Sequence, residues 1–593
     1  MSDPVPRFAS DVGDVAADTE FYSPQPPGYR RNHCRFVVVV GTVMSGLGKG
    51  IFSSSLAKVL KDKGLHVEPI KLEGYFNRDS GTLNPYRHGE VFVLDDGMEC
   101  DMDLGTYERM LNQDMTHHNF ATSGQIFSRV LDRERRGGYL GRDVQMIPHV
   151  TGEVKLRLRE LAVASGADVI FVEIGGTVGD VENAYYLEAV RELAFEEGAG
   201  SVCFVALTYI VQPPTLGEQK TKPAQLNIKR LMATGIKPHV IACRARKQVT
   251  AKVREKLALY TNTPIDRVFS MHDVDSIYQM PDVLRSAGID RTILEVLDLH
   301  PPTGAVETER RNTTAWAGYI KRQREASQRV TIGITGKYTA VRDSYASIIQ
   351  ALEHAGTHYG ANVHIEWIDS TGLTEDDLPD RMQGVHGVIV PGGFGVRGVE
   401  GKIHCVRHVR ENGVPYLGLC YGFQIAVIEF ARNVCGLDGA QSTEIDPHTP
   451  HPVIDLLPEQ KAVDAMGASM RLGGHTVMVM PATMLARLYG GAESVRLRFR
   501  HRYEVHPDYI QRLTERGLIF SGRAPDRPIM QALELAEAQH PFFVATQAHA
   551  ELTSRPLRPD ALFCGLIRAA MIRRGAPDPD HRTTGASTGV IAR

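Results

Sequence analysis

Residues 35–50, RFVVVVGTVMSGLGKG, decide the fold of the first half of this chain. Four consecutive valines read as a strand buried on both faces. The Gly-rich run behind them reads as a tight turn, and Lys49 stands where a helix begins. Backbone N–H groups of such a loop, with the positive end of the following helix, cradle phosphate, and the lysine adds a mobile charge. Gly50 occupies the place where a phosphate loop usually carries the Ser or Thr that binds Mg²⁺. Metal ligands must therefore come from elsewhere. Glu173 ends the apolar run 168–173 just before Gly175 and Gly176, at the carboxyl edge of a parallel sheet where ligands of α/β folds bind. Asp103 is the other acidic candidate, and hard carboxylate oxygens suit Mg²⁺ bridging nucleotide phosphates. In 217–225, GEQKTKPAQ, Lys220 and Lys222 point the same way in extended backbone with Gln225 behind them. That pattern suits a second polyphosphate, although lysine pairs are also common on solvated faces.

Outward from this stretch the pattern recurs. Short β-branched runs at 35–40, 168–173, 201–207, 329–334, 385–390 and 542–546 alternate with longer helical stretches, which predicts parallel sheets covered on both faces. The chain has 593 residues, 42% hydrophobic and 23% charged, with a net charge of −3, an ordinary globular balance without the bulk basic surface of a nucleic-acid binder. Its apolar runs fall far short of the ~20 residues a membrane helix needs. The eight scattered cysteines form no CxxC pair, so neither a disulfide framework nor a zinc site is expected. These features predict a cytoplasmic enzyme. The boundaries read as a flexible extension at 1–34, a domain at 35–298, a linker at 299–328, a second domain at 329–575 and a flexible tail at 576–593.

The second half carries a different chemistry. GLCYGFQ at 418–424 follows a strand and opens a helix, and glycines on both sides let Cys420 project from a sharp turn. At a helix N-terminus the dipole favours a thiolate. QAHAEL at 547–552 places His549 beyond a strand with Glu551 two residues on, giving a nucleophile, a base and an orienter of the base. Gly392 and Gly393 offer backbone N–H groups to an oxyanion. A lone cysteine is ordinarily a small buried hydrophobe; G-x-C-x-G-x-Q with a later H-x-E is far more specific.

On these motifs the C-terminal half resembles class I glutamine amidotransferases, and residues 35–575 as a whole resemble the CTP synthase family. SGLGKG, HGEVFV, ERRGGYLG, VQMIPHVT, VEIGGTVGD, KTKPAQ, DVDSIY, PGGFGVRGVEGK, GLCYGFQ, STE, MRLG, RHRYEV and QAHAEL carry the likeness in order. It implies an α/β fold in two parts: a P-loop, dethiobiotin-synthetase-like parallel-sheet domain and a flavodoxin-like class I glutamine amidotransferase domain. It also implies glutamine-dependent amination of UTP to CTP with ATP and Mg²⁺. By the same resemblance Cys420 attacks glutamine, His549 is its base and Glu551 holds the imidazole. Gly393, Gln424, Glu444 and Arg502 match glutamine-binding positions. Ser45, Gly46, Leu47, Gly48, Lys49, Gly50, Lys71, Arg244, Asp273 and Val274 match ATP-binding positions, and Asp103 and Glu173 the metal ligands. Asp180, Glu182, Lys220, Lys222, Gln225 and Lys256 match contacts to the pyrimidine nucleotide, and Arg397 lies in a lid loop linked to GTP activation. A homotetramer is implied as well.

The likeness breaks at particular places. Glu73, Gly74 and Ser80 stand where the family usually has Asp, Pro and Pro. Arg78 brings a charge, Cys100, Met102 and Thr106 alter the surroundings of Asp103, 209–219 diverges, and Ala550 replaces a usual Pro. Most of these departures fall near the nucleotide sites. They leave open an acceptor that is a modified or less phosphorylated uridine nucleotide. Two other readings compete: another two-domain ligase such as a cobyrinic-acid amidase, and a non-catalytic filament or scaffold protein.

Overall fold

The computed structural model describes residues 22–139, 141–215, 217–337, 339, 341–456 and 470–580. The described residues divide into two compact units, one within 22–82 and 106–314, the other within 83–105 and 315–580.

In the first unit, the described residues form a seven-stranded sheet. Its strands run in the order Phe120–Thr122, Val67–Glu73, Val169–Ile174, Arg35–Gly41, Val202–Tyr209, Val240–Ala245 and Val268–His272. Every pairing is parallel. The valine run occupies the centre, with Phe36 through Val39 at 0% exposure. A strand buried on both faces has no use for polar alternation, which is why its sequence is uniformly apolar. Val39 pairs with Glu173, so the end of the phosphate-loop strand and Glu173 leave the sheet at the same edge.

The second unit holds a nine-stranded sheet that changes character along its width. Ala361–Asp369, Gln328–Gly336, Gly387–Val390, Tyr416–Leu419 and Phe543–Thr546 are parallel neighbours. Met530–Glu534, Ile519–Arg523, Arg471–Val479 and Ser494–His501 continue it antiparallel. These added strands lay outside the parallel-sheet expectation. Arg496, Arg498 and Arg500 alternate with Leu497, Phe499 and His501, the period-two signature of antiparallel strands.

Two boundary expectations are corrected. Residues 22–34 were expected to belong to a flexible extension, yet they are packed. Ser23 Oγ donates to Glu196 at 2.6 Å, Arg133 donates to the Tyr22 hydroxyl at 2.6 Å, and Arg159 donates to the Pro24 carbonyl at 3.1 Å. The sequence lacks periodicity there because the segment is held by side-chain bonds rather than by a helix or ladder. Residues 1–21 lie outside the described residues. The linker expected at 299–328 is mostly the helix Ala305–Glu325, in which Trp316, Tyr319 and Ile320 form a buried stripe at helical spacing. Of the expected tail, 581–593 lie outside the described residues, and Asp578 accepts from Arg568 at 2.8 Å. No helix among the described residues is long and apolar enough to cross a membrane.

Candidate active site

Cys420 sits between strand Tyr416–Leu419 and helix Tyr421–Asn433 with φ 50° and ψ −96°, a backbone state that non-glycine residues rarely adopt. The turn is tight enough to demand its flanking glycines. A Cβ on Gly422 would stand 2.1 Å from the Val390 carbonyl, and one on Gly418 2.8 Å from the Ala545 Cβ. The thiol is 5% exposed and lines a cavity of about 110 Å³, shared with Gly392, Gly393, Arg500 and His549. Gln547 Nε2 donates to its sulfur at 3.6 Å. A Cβ on Gly392 would lie 2.7 Å from His549 Cε1 and 3.6 Å from Cys420 Cβ, so this glycine lets loop, imidazole and nucleophile converge.

His549 and Glu551 meet through Nδ1 and Oε1 at 2.7 Å. Burial alone would lower the imidazole's pKa. The opposing charges and hydrogen bonds of Cys420 and Glu551 outweigh it and hold His549 well above its ordinary value. Such an imidazolium stabilises a thiolate and is ready to protonate the leaving amine. Glu551→Gln removes one source of that rise, so glutaminase kcat/KM is expected to fall about 10²-fold or more. The alkaline limb of its pH–rate profile should move to lower pH, because the charged imidazole is lost earlier as pH rises. An unmoved limb would contradict this role.

The glutamine-binding candidates gather around the same turn. Glu444 Oε1 accepts from the Gly395 backbone at 2.8 Å, and Gln424 Nε2 donates to the Tyr503 carbonyl at 3.0 Å. Gln424 Oε1 is buried without a partner among the described residues, and Arg502, beside Tyr503, makes no side-chain hydrogen bond among them. Lys402 lies under the same loop, with Nζ 4.8 Å from the Tyr421 ring centroid and burial pushing its pKa down to about 7. Arg397 donates to the Tyr86 hydroxyl and the Lys337 carbonyl, each at 2.9 Å.

Part of this cavity was missed from sequence. Pro85, Val91 and Val93 line it, although they precede most of the first unit's chain. Arg496 pairs with Asp95 at 2.7 Å and Arg500 with Glu99 at 2.6 Å, which fixes the excursion 83–105 within the second unit. Motif HGEVFV was the available signal, but its local pattern does not name a partner about 400 residues away.

In the first unit, Gly46 and Gly48 take φ 71° and 78°, and Lys49 opens helix Lys49–Asp62. Its Nζ donates to the Gly176 carbonyl at 2.7 Å, so loop, lysine and the turn after Glu173 converge. Ser45 and Gly50 complete the loop. Arg244 reaches the Leu47 carbonyl at 3.4 Å and pairs with Asp273 at 2.8 Å; Val274 follows, half-buried. Lys71 Nζ donates to Glu173 at 2.8 Å and lies 3.3 Å from Glu73. Tyr107 donates to the other Glu173 oxygen at 3.0 Å. Asp103, which belongs to the second unit, begins helix Asp103–Leu111.

A magnesium ion needs only one or two carboxylates here, with phosphate oxygens and waters completing its shell. Fully buried Glu173, held in a fixed orientation by Lys71 and Tyr107, offers that donor chemistry. Among the described residues no group of three or more His, Cys, Asp or Glu is placed to hold a metal ion.

The pyrimidine-nucleotide candidates are arranged in two groups. Asp180 accepts from the Thr177 backbone at 2.7 Å and, like Glu182, is exposed. Lys220 pairs with Glu218 at 2.6 Å, and Gln225 Nε2 donates to Thr221 at 2.9 Å. Lys222 and Lys256 are exposed and make no side-chain hydrogen bond or ion pair among the described residues. Gln219 accepts from the Thr250 backbone at 3.0 Å, tying the lysine loop to the start of helix Ala251–Thr261, which carries Lys256.

With this geometry in place, comparison with known proteins is direct. Residues 35–299 match the family model described as CTP synthase N-terminus, and 340–569 match glutamine amidotransferase class-I. A CTP synthase of Methanopyrus kandleri is 47% identical over 538 residues, covering 90% of this chain and 99% of that protein. One from Thermus thermophilus is 44% identical, covering 91% and 97%. A solved structure titled as the Trypanosoma brucei CTPS glutaminase domain with bound acivicin is 34% identical. It covers 41% of this chain and 94% of its own, with a TM-score of 0.39. The phosphate loop, the strained cysteine turn and near-complete coverage of such relatives agree: the chain belongs to the CTP synthase family.

Proposed function

We propose that this chain aminates UTP at C4, converting UTP, ATP and glutamine into CTP, ADP, phosphate and glutamate. The observation that carries the reading is the pairing of two chemistries in one chain. A lysine-bearing phosphate loop converges on Glu173, and a strained cysteine turn is backed by a His549–Glu551 pair. A scaffold protein has no use for either.

A uracil carbonyl is a poor electrophile because its oxygen leaves badly, and phosphorylation turns that oxygen into a leaving group. Lys49 and the loop amides hold the phosphates, and Lys71 orients Glu173. Glu173 and Asp103 would hold Mg²⁺, which neutralises charge on the transferring phosphoryl group. Cys420 attacks the glutamine amide, Gly392 and Gly393 supply oxyanion donors, and His549 protonates departing ammonia. Ammonium cannot attack a ring carbon, so the nitrogen must reach the uracil ring as neutral ammonia. Lys220, Lys222, Gln225 and Lys256 would take the pyrimidine nucleotide with Asp180 and Glu182, and Arg244 with Asp273 and Val274 would take the adenine. A GTP activator acting near Arg397, a homotetramer and a cytoplasmic location belong to the same reading and rest on family membership.

Glu73 and Gly74 favour a second reading of the acceptor, because the departure at Glu73 lies against the turn after Glu173. A Cβ on Gly175 would stand 2.6 Å from Glu73 Oε2. Product analysis with ATP, glutamine and a panel of UTP, UMP and base-modified uridine nucleotides tests both. CTP formed from UTP with the highest kcat/KM supports the first reading. Preference for another member of the panel supports the second, and no amination of any member contradicts both.

A further inference from the structure

Asn183 occupies an unusual place. It ends the turn Val181–Asn183 and sits at the N-cap of helix Ala184–Glu197, where an asparagine ordinarily accepts a hydrogen bond from the first helical turn. Here the side chain caps nothing. It is 4% exposed and forms no side-chain hydrogen bond among the described residues. Neither amide atom is among the sealed, unpaired polar atoms, so both stay open to a partner that arrives with a ligand.

The amide is turned instead into the space between two glycines. A Cβ on Gly74 would stand 2.4 Å from Asn183 Oδ1, and one on Gly176 would stand 2.0 Å from Nδ2. The amide takes up the space that a side chain on Gly74 would fill. The place is also chemically marked, because the Gly176 carbonyl holds Lys49 Nζ at 2.7 Å. A loop lysine of this type reaches the terminal phosphates of ATP. The oxygen to be phosphorylated must come to that same point. Asp180 and Glu182 flank Asn183 with exposed carboxylates, which disfavour a phosphate and leave a neutral ring edge as the better occupant.

We propose that Asn183 recognises the imide edge of the acceptor pyrimidine, donating from Nδ2 to a ring carbonyl and accepting the ring N3–H at Oδ1. Gly74 stays free of a side chain to make room for it. This assignment rests on the reading that the acceptor is a uridine nucleotide. It makes Asn183 a specificity-determining residue for the known reaction of the family, in a position that reads from sequence as an ordinary helix cap.

The test is steady-state kinetics on the full chain with ammonium chloride as nitrogen source, varying UTP at saturating ATP and then ATP at saturating UTP. Asn183→Ala and the isosteric Asn183→Asp are each expected to raise KM for UTP at least tenfold while KM for ATP changes less than twofold. Gly74→Ala should raise KM for UTP as well, by displacing the amide. Combined with Asn183→Ala it should add nothing further. A KM for UTP within twofold of the unsubstituted protein in both Asn183 variants overturns the proposal. So does a parallel rise in both KM values with a lowered Tm, the mark of a purely structural role. If the unsubstituted protein aminates no uridine nucleotide, this inference and the functional reading fall together, and that result is visible before any variant is compared.

Discussion

Cys420→Ala is expected to lower glutamine-dependent CTP formation by about 10⁴-fold or more, while turnover supported by added ammonium salt stays within twofold of the original. The loss is large because no neighbour can replace the sulfur. His549 remains, but water in the cavity is a far weaker nucleophile than a thiolate held beside an imidazolium. Retention of the ammonia reaction follows from the fold. Alanine inherits the same φ of 50°, so the backbone strain already carried by cysteine is not increased, and the flanking glycines keep their contacts. Measuring both nitrogen sources on the same preparation separates chemistry from folding. Loss of both activities would mean that the turn collapsed or that Cys420 does more than cleave glutamine.

Lys49→Ala is expected to do the reverse. Amination with either nitrogen source should fall by about 10³-fold or more, because the cation that holds the transferring phosphoryl group is gone. Basal glutaminase activity, which depends on Cys420, His549 and Glu551, should persist. The bond from Nζ to the Gly176 carbonyl is lost, and a net hydrogen bond of about 1 kcal/mol shifts the thermal midpoint by a few degrees. A variant that still makes CTP from ammonia at near-normal rate would show that the loop does not carry the ATP chemistry.

The features readable from sequence are those that chemistry confines to a short stretch. The phosphate loop must follow a buried strand directly, and the cysteine turn must be flanked by glycine. The histidine and its carboxylate are two residues apart. The His549 and Glu551 side chains meet, and Lys49 reaches the Gly176 carbonyl. What stayed hidden depends on distant partners. The excursion 83–105 consists of strands only three residues long, Val91–Val93 and Glu99–Asp101, and its place is set by Asp95 and Glu99 meeting Arg496 and Arg500. Residues 22–34 read as loose chain because their order comes from Arg133, Arg159 and Glu196, which lie more than 100 positions away. Helix Ala305–Glu325 was masked by a polar composition in which only Trp316, Tyr319 and Ile320 are buried.

The central claim is that phosphate-loop chemistry activates a ring oxygen which ammonia then displaces. UTP labelled with ¹⁸O at the C4 oxygen tests it most directly, in a single turnover with ATP and glutamine followed by mass analysis of the released phosphate. One ¹⁸O atom carried into each phosphate is the predicted result. Unlabelled phosphate, with the heavy oxygen recovered in water, would contradict it.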